Sequence, residues 1–123
     1  MKIGLIAGSF DLTTKGHVDV ISQASKLVDK LYITIASNVG KVHRFSAADR
    51  KTVLEDCLVE SDSVYSQYEV EHLRPNSLLI QQATALGVNV LFRGIRNPID
   101  FEYVNKQLLL GDLSISFEYV LAV

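Results

Sequence analysis

Hydrophobic and polar positions along the chain change period repeatedly, and each change predicts an element. Ile3 to Ala7 is an unbroken apolar run, the pattern of a strand buried on both faces. Val18, Ile21, Ala24 and Val28 recur at helical spacing and predict a first helix that begins near Lys15. Leu31 to Ala36 is β-branched and aromatic, a second strand, and Ser37 to Phe45 is a polar loop containing Gly40 and Lys41. Ser46-Ala47-Ala48-Asp49 fits a capping-box-like start, and Val53, Leu54, Cys57 and Leu58 give the second helix an apolar face. Val64 to Val70 alternates and predicts the least apolar strand, the third. Pro75 opens a third helix that runs through Leu79, Ala83 and Leu86 and stops at Gly87. Asn89 to Phe92 is the fourth strand. Asn97-Pro98 caps a fourth helix ending near Gly111, and Ser116 to Val123 is the fifth strand.

Regular alternation of strand and helix predicts an α/β domain: a five-stranded parallel sheet with helices on both faces. Ligands of such sheets bind beyond the carboxyl ends of the strands, where the strand order reverses. The connections after the first, second and fourth strands should therefore open onto one rim. They carry Gly8-Ser9-Phe10-Asp11, Lys41, and Arg93-Gly94-Ile95-Arg96.

Composition narrows the picture. A chain of 123 residues, 48% of them hydrophobic, is one domain that buries roughly two-thirds of its unfolded surface. A net charge of −2 gives no electrostatic case for nucleic acid or an acidic membrane. The single cysteine, Cys57, has no internal disulfide partner and reads as a helix core residue in a reducing compartment. No apolar run approaches the ~20 residues of a membrane helix, and no signal-like segment precedes the first strand, so the expectation is a soluble cytoplasmic protein.

The chemistry concentrates after the first strand. A Gly8-Ser9 turn lets backbone pass close to a ligand, Thr14 is placed to cap the helix, and His17 falls in its first turn. The free N–H groups there point at an anion, which the imidazole can face with them. The chain has no dinucleotide or P-loop glycine pattern, and His17, His43 and His72 lack zinc spacing, so no metal ligands are assigned. Anion binders remain: the helix start at Thr14 to His17, with Lys41, Arg93 and Arg96.

Gly8-Ser9-Phe10-Asp11 followed by Thr14-Lys15-Gly16-His17 resembles the Gly-[Thr/Ser]-Phe-Asp turn and [His/Thr]-x-Gly-His helix start of nucleotidyltransferases. Arg93-Gly94-Ile95-Arg96 with Asp100-Phe101-Glu102-Tyr103 narrows the match, and the chain is similar to the phosphopantetheine adenylyltransferase family. That resemblance implies a Rossmann-like domain over residues 1–123. It also implies transfer of an adenylyl group from ATP to 4′-phosphopantetheine, giving dephospho-coenzyme A and pyrophosphate, with Mg²⁺ held mainly through the substrate phosphates.

Site roles follow from the same resemblance. His17 and Lys41 are the catalytic pair. Ser9, Lys41, Leu79 and Arg93 bind the pantetheine substrate, with Leu78 beside Leu79. Ser9, Phe10, His17, Gly94, Ile95 and Arg96 bind ATP. Asp11 either orients the loop or touches the water shell of the metal. Asp100 to Tyr103 supply a helix start and an aromatic anchor. The resemblance further implies a homohexamer, with coenzyme A or dephospho-coenzyme A as product and feedback ligand.

Departures from the family sharpen the expectation. Leu12 replaces the usual proline, and Val104 stands where a glutamate binds the ATP ribose. The sequence stops at Val123, before the family's Ile-Ser-Ser-Ser segment and last helix. These losses fall on the ATP side, so the expectation is a retained fold and pantetheine-phosphate pocket with reduced or absent turnover. Two alternatives stand beside it: a non-catalytic module that holds coenzyme A or pantetheine, and a related transferase acting on another phosphorylated small molecule or using CTP.

Overall fold

The structure is a computed structural model that describes residues 1–36, 44–73, 78–95 and 116–121, and of 93–95 and 116–121 the backbone alone. Eight elements follow in order: β1 (Ile3–Gly8), α1 (Lys15–Ser25), β2 (Lys30–Ile35), α2 (Ala47–Ser61), β3 (Gln67–His72), α3 (Leu79–Ala85), β4 (Val90–Ile95) and β5 (Ser116–Leu121). The strands form one five-stranded sheet in the order β3-β2-β1-β4-β5. Every described pairing is parallel.

Strand alternation sorts the core into two layers. Ile6, Leu31, Ile33, Ile35, Val90 and Phe92 face α1 and α2, where Val20, Ile21, Ala24, Leu54 and Leu58 cover them. Leu5, Tyr32 and Leu91 face the other way and pack with Ala83 and Val88, with Leu79, Ile80 and Leu86 at the margin. Helices therefore cover both faces, as the run of alternating elements predicts. Thr34, fully buried, ties the second layer together: its Oγ1 donates to Gln82 Oε1 at 3.0 Å, and Gln82 Nε2 donates to the His72 carbonyl at 3.2 Å.

Caps fix the helix ends. Ser46 Oγ accepts from Asp49 N at 3.1 Å and starts α2. α3 closes at Gly87 (φ 72°), where Val88 N donates to Ala83 O and Gly87 N to Thr84 O, the paired bonds of a Schellman motif. No helix among the described residues is long and apolar enough to cross a membrane.

Several expected boundaries shift. β3 runs from Gln67 to His72 rather than from Val64 to Val70, because pairing with β2 sets its register at Lys30↔Gln67. Val64 packs on the core ahead of the strand instead. α1 ends at Ser25, so Val28 meets the core from the connection to β2, and Val20 rather than Val18 is the buried valine of the helix. α3 begins at Leu79 with Leu78 extended at its cap; Pro75 lies outside the described residues. The helix expected from Asn97 to Gly111 also lies outside them, as do the last two positions of the fifth strand. β4 begins at Val90 and continues past Phe92 to Ile95 because β5 pairs with it there, with Arg93↔Tyr119, Gly94↔Val120 and Ile95↔Leu121. Cys57 is half-buried on α2.

Gly4 shows how tightly β1 is packed. A Cβ there would stand 2.5 Å from Phe92 Cε2 and 3.0 Å from Val28 Cγ1. Gly4→Ala is expected to destabilise the fold by about 1–3 kcal/mol through overpacking, read from urea denaturation.

Candidate active site

β1 ends at Gly8, and α1 begins at Lys15, so the sequence between them forms a turn at the carboxyl end of the central strand. Thr14 is extended (φ −114°, ψ 170°), the conformation of an N-cap. Its Oγ1 accepts from His17 N at 3.3 Å, and His17 Nδ1 accepts from Thr14 N at 3.0 Å. This is a reciprocal capping box in which an imidazole takes the place usually held by glutamate or glutamine. The consequence is chemical. A ring nitrogen that accepts a hydrogen bond carries no proton, so the neutral ring has its proton on Nε2 and is a donor there. No acidic side chain stands in the first turn of α1 to compete with an incoming anion.

Phe10 supports the imidazole from below. Its backbone is left-handed (φ 49°), and its ring is only 3% exposed, packed in the core layer under α1. The ring meets His17 edge-on, with centroids 5.3 Å apart and planes at 71°. Gly8 makes room for it: a Cβ at Gly8 would stand 3.2 Å from the Phe10 ring. Gly8 thus clears space for an aromatic anchor in the turn. What Phe10 has left for a ligand is backbone.

The described contacts that hold the turn from the α2 side include two hydrogen bonds. Asp11 Oδ2 accepts from Arg44 N at 2.8 Å, a contact that suits the loop-orienting one of its two expected roles. Arg50, at 2% exposure, donates from Nη1 to the Ser9 carbonyl at 2.9 Å. Sequence reasoning passed over Arg50. Its signal was the register: Arg50, Leu54 and Leu58 repeat every fourth residue, which puts a guanidinium on the buried stripe of α2.

The parallel sheet sends the carboxyl ends of its strands to one rim. Gly8 pairs with Ile35 there, and the Gly8 carbonyl accepts from Ala36 N at 2.9 Å. The order reverses between β1 and β4, the central pair, and α1 starts above that reversal. Arg93, Gly94 and Ile95 are the last three residues of β4, so their backbone reaches the same rim from within a strand rather than from a loop after it. Ser9, half-buried, and His17 are thus brought to one edge with the end of β4. Lys41 and Arg96 lie outside the described residues. Leu79 opens α3 and packs partly on the second core layer, while Leu78 at its cap is exposed.

An N-terminal helix turn, a neutral imidazole with a fixed donor and backbone amides at a strand-order reversal can bind an anion and stabilise charge that develops on it. They do not form a metal cage. Among the described residues, no three His, Cys, Asp or Glu side chains cluster as ligands.

A profile of the cytidylyltransferase-like family matches residues 5–118. The chain is 42% identical over 102 residues to a phosphopantetheine adenylyltransferase of Streptococcus uberis, covering 83% of this chain and 58% of that one. It is 40% identical over 116 residues to the enzyme of that name from Streptococcus suis, covering 89% and 68%. With the one from Caulobacter vibrioides it shares 42% over 115 residues, covering 88% and 68%. The chain thus spans about three-fifths to two-thirds of the length of these relatives. Among solved structures, the lipopolysaccharide core biosynthesis protein of Thermoplasma volcanium superposes with a TM-score of 0.70 at 17% identity, over 100% of this chain and 97% of that one. A universal stress protein in complex with cAMP gives 0.67 at 12%, over 99% and 98%. These two likenesses speak for the fold.

Proposed function

This chain belongs to the cytidylyltransferase-like family and to the phosphopantetheine adenylyltransferases, and from that premise we propose that it transfers the adenylyl group of ATP to 4′-phosphopantetheine, giving dephospho-coenzyme A and pyrophosphate. The observation that carries the reading is the reciprocal Thr14–His17 cap, which fixes one tautomer of an imidazole at the helix start.

In this reaction a phosphate oxygen of 4′-phosphopantetheine attacks the α-phosphorus of ATP. The new P–O bond forms as the bridge to the β-phosphate breaks, and the electron pair leaves with pyrophosphate. The nucleophile is already an anion, so no base and no covalent enzyme intermediate are called for. The task is to align two anions and to receive the charge gathering on the α-phosphoryl oxygens. His17 Nε2–H and the first-turn amides of α1 receive it. Lys41 reaches the reacting centre and, with Arg93, the pantetheine phosphate, for which a guanidinium offers paired donors. Ser9 contacts both substrates, Leu79 lines the pantetheine arm, and Phe10 (through its backbone), Gly94, Ile95 and Arg96 lie along the ATP. Mg²⁺ enters as part of the substrate, on the ATP phosphates. Assembly as a homohexamer, feedback by coenzyme A and a cytoplasmic location belong to the same proposal.

A pyrophosphate-release assay tests it. Release is expected with ATP, Mg²⁺ and 4′-phosphopantetheine together, and not when the pantetheine substrate is omitted or CTP replaces ATP. Equal release from CTP would reassign the nucleotide. Calorimetric binding of coenzyme A without any release would favour a carrier over an enzyme.

A further inference from the structure

Arg50 holds the carbonyl of the peptide whose other side is the Phe10 amide. The guanidinium is 2% exposed on the buried stripe of α2, and its Nη1 lies 2.9 Å from the Ser9 oxygen. An apolar side chain would be the ordinary occupant of this register, beside Leu54 and Leu58, because a buried charge is costly to desolvate. The cation is instead turned toward a backbone acceptor in the anion-facing turn. A trans peptide is planar, with its C=O and N–H on opposite sides. The Ser9–Phe10 peptide is trans. Holding the Ser9 carbonyl inward therefore turns the Phe10 N–H away from Arg50 and the core. A cation on the carbonyl also polarises the peptide and strengthens the donor on its far side. Arg44 N, six residues before Arg50, grips Asp11 in the same turn, so one segment fixes both ends of Ser9–Asp11.

We infer that Arg50 is a positioning residue, which sets the Ser9–Phe10 peptide so that the Phe10 amide donates to a phosphate oxygen of the bound nucleotide. The inference rests on the adenylyl-transfer reading for the identity of that nucleotide.

The test uses the full chain, ATP with Mg²⁺ as the probe, and the variants Arg50→Met and Arg50→Lys. In the unaltered chain the Phe10 amide resonance is expected to shift on ATP addition. In Arg50→Met the ATP dissociation constant is expected to rise about 10-fold, and the backbone order parameter at Phe10 to fall from ~0.85 to below ~0.6 with that of Ile33 unchanged. Arg50→Lys keeps one charged donor and is expected to restore most of both. A uniform loss of order at Phe10 and Ile33 would reduce Arg50 to a structural role and overturn the inference. So would an unchanged ATP affinity in Arg50→Met, or a Phe10 amide in the unaltered chain that does not shift while calorimetry shows ATP bound; the latter decides even where Arg50→Met fails to fold. An unaltered chain that binds no ATP would instead overturn the adenylyl-transfer reading. The order parameter at Phe10 in Arg50→Met would then still decide whether the guanidinium holds the peptide.

Discussion

Replacing His17 by glutamine is expected to slow pyrophosphate release about 10²–10³-fold while leaving stability within about 0.5 kcal/mol. The two effects separate because the side chain has two jobs. Nδ1 closes the cap on Thr14 N at 3.0 Å, and glutamine at the same helix position is a common partner in that box. In the proposed reaction Nε2–H is the donor to the reacting phosphate, and no glutamine atom repeats its place while the amide is closing the cap. His17→Ala removes both functions, so it is expected to lose rate to a similar extent and about 1 kcal/mol of stability besides. Single-turnover release and urea denaturation of the same preparations check both. A glutamine variant that reacts at the unaltered rate would take the imidazole out of the chemistry and leave it only as a cap.

Phe10→Ala is expected to be the most damaging single change to stability in the turn, at about 3–5 kcal/mol. The ring is 3% exposed among Ile6, Val20, Ile21 and Ile35 of the layer under α1, so its loss leaves a void between the central strands and the helix. Gly8 has no side chain to fill it. Because the ring edge also supports His17 at 5.3 Å, the rate should fall along with the stability. Phe10→Gly loses the same ring but relieves the left-handed backbone at φ 49°, so its loss should be smaller by about 1 kcal/mol. Equilibrium urea curves compare the two. A glycine variant less stable than the alanine variant would mean that the positive φ is not strained.

These residues also show which parts of the molecule a sequence discloses. Local patterns carried the first strand, the caps at Thr14 and Ser46 and the stop at Gly87, because each depends on neighbours a few positions away. The continuation of β4 through Arg93-Gly94-Ile95 was not legible. The apolar run ends at Phe92, and what extends the strand is a partner that begins at Ser116. β3 slipped for the same reason, since its ends are set by β2 and not by its own alternation. In the site, sequence located His17 but not the tautomer, which depends on where the ring points back. Arg50 was hidden because a charged residue in a helix is ordinarily a solvated one, and only the packed sheet makes its register a burial.

The central place of β1 also sets the order in which the molecule can be completed. β1 meets β2 after one helix, whereas its other edge waits for β4, joined through mutual bonds between Ile3 and Asn89, 86 positions away. On the ribosome, β1, β2 and β3 emerge together, and the flank of β1 stays open until the later segments arrive. An unfilled strand edge bordered by Leu5 and Ile6 is a template for a neighbouring nascent copy. Synthesis stalled between β3 and β4 should therefore yield aggregates rather than a soluble half-molecule.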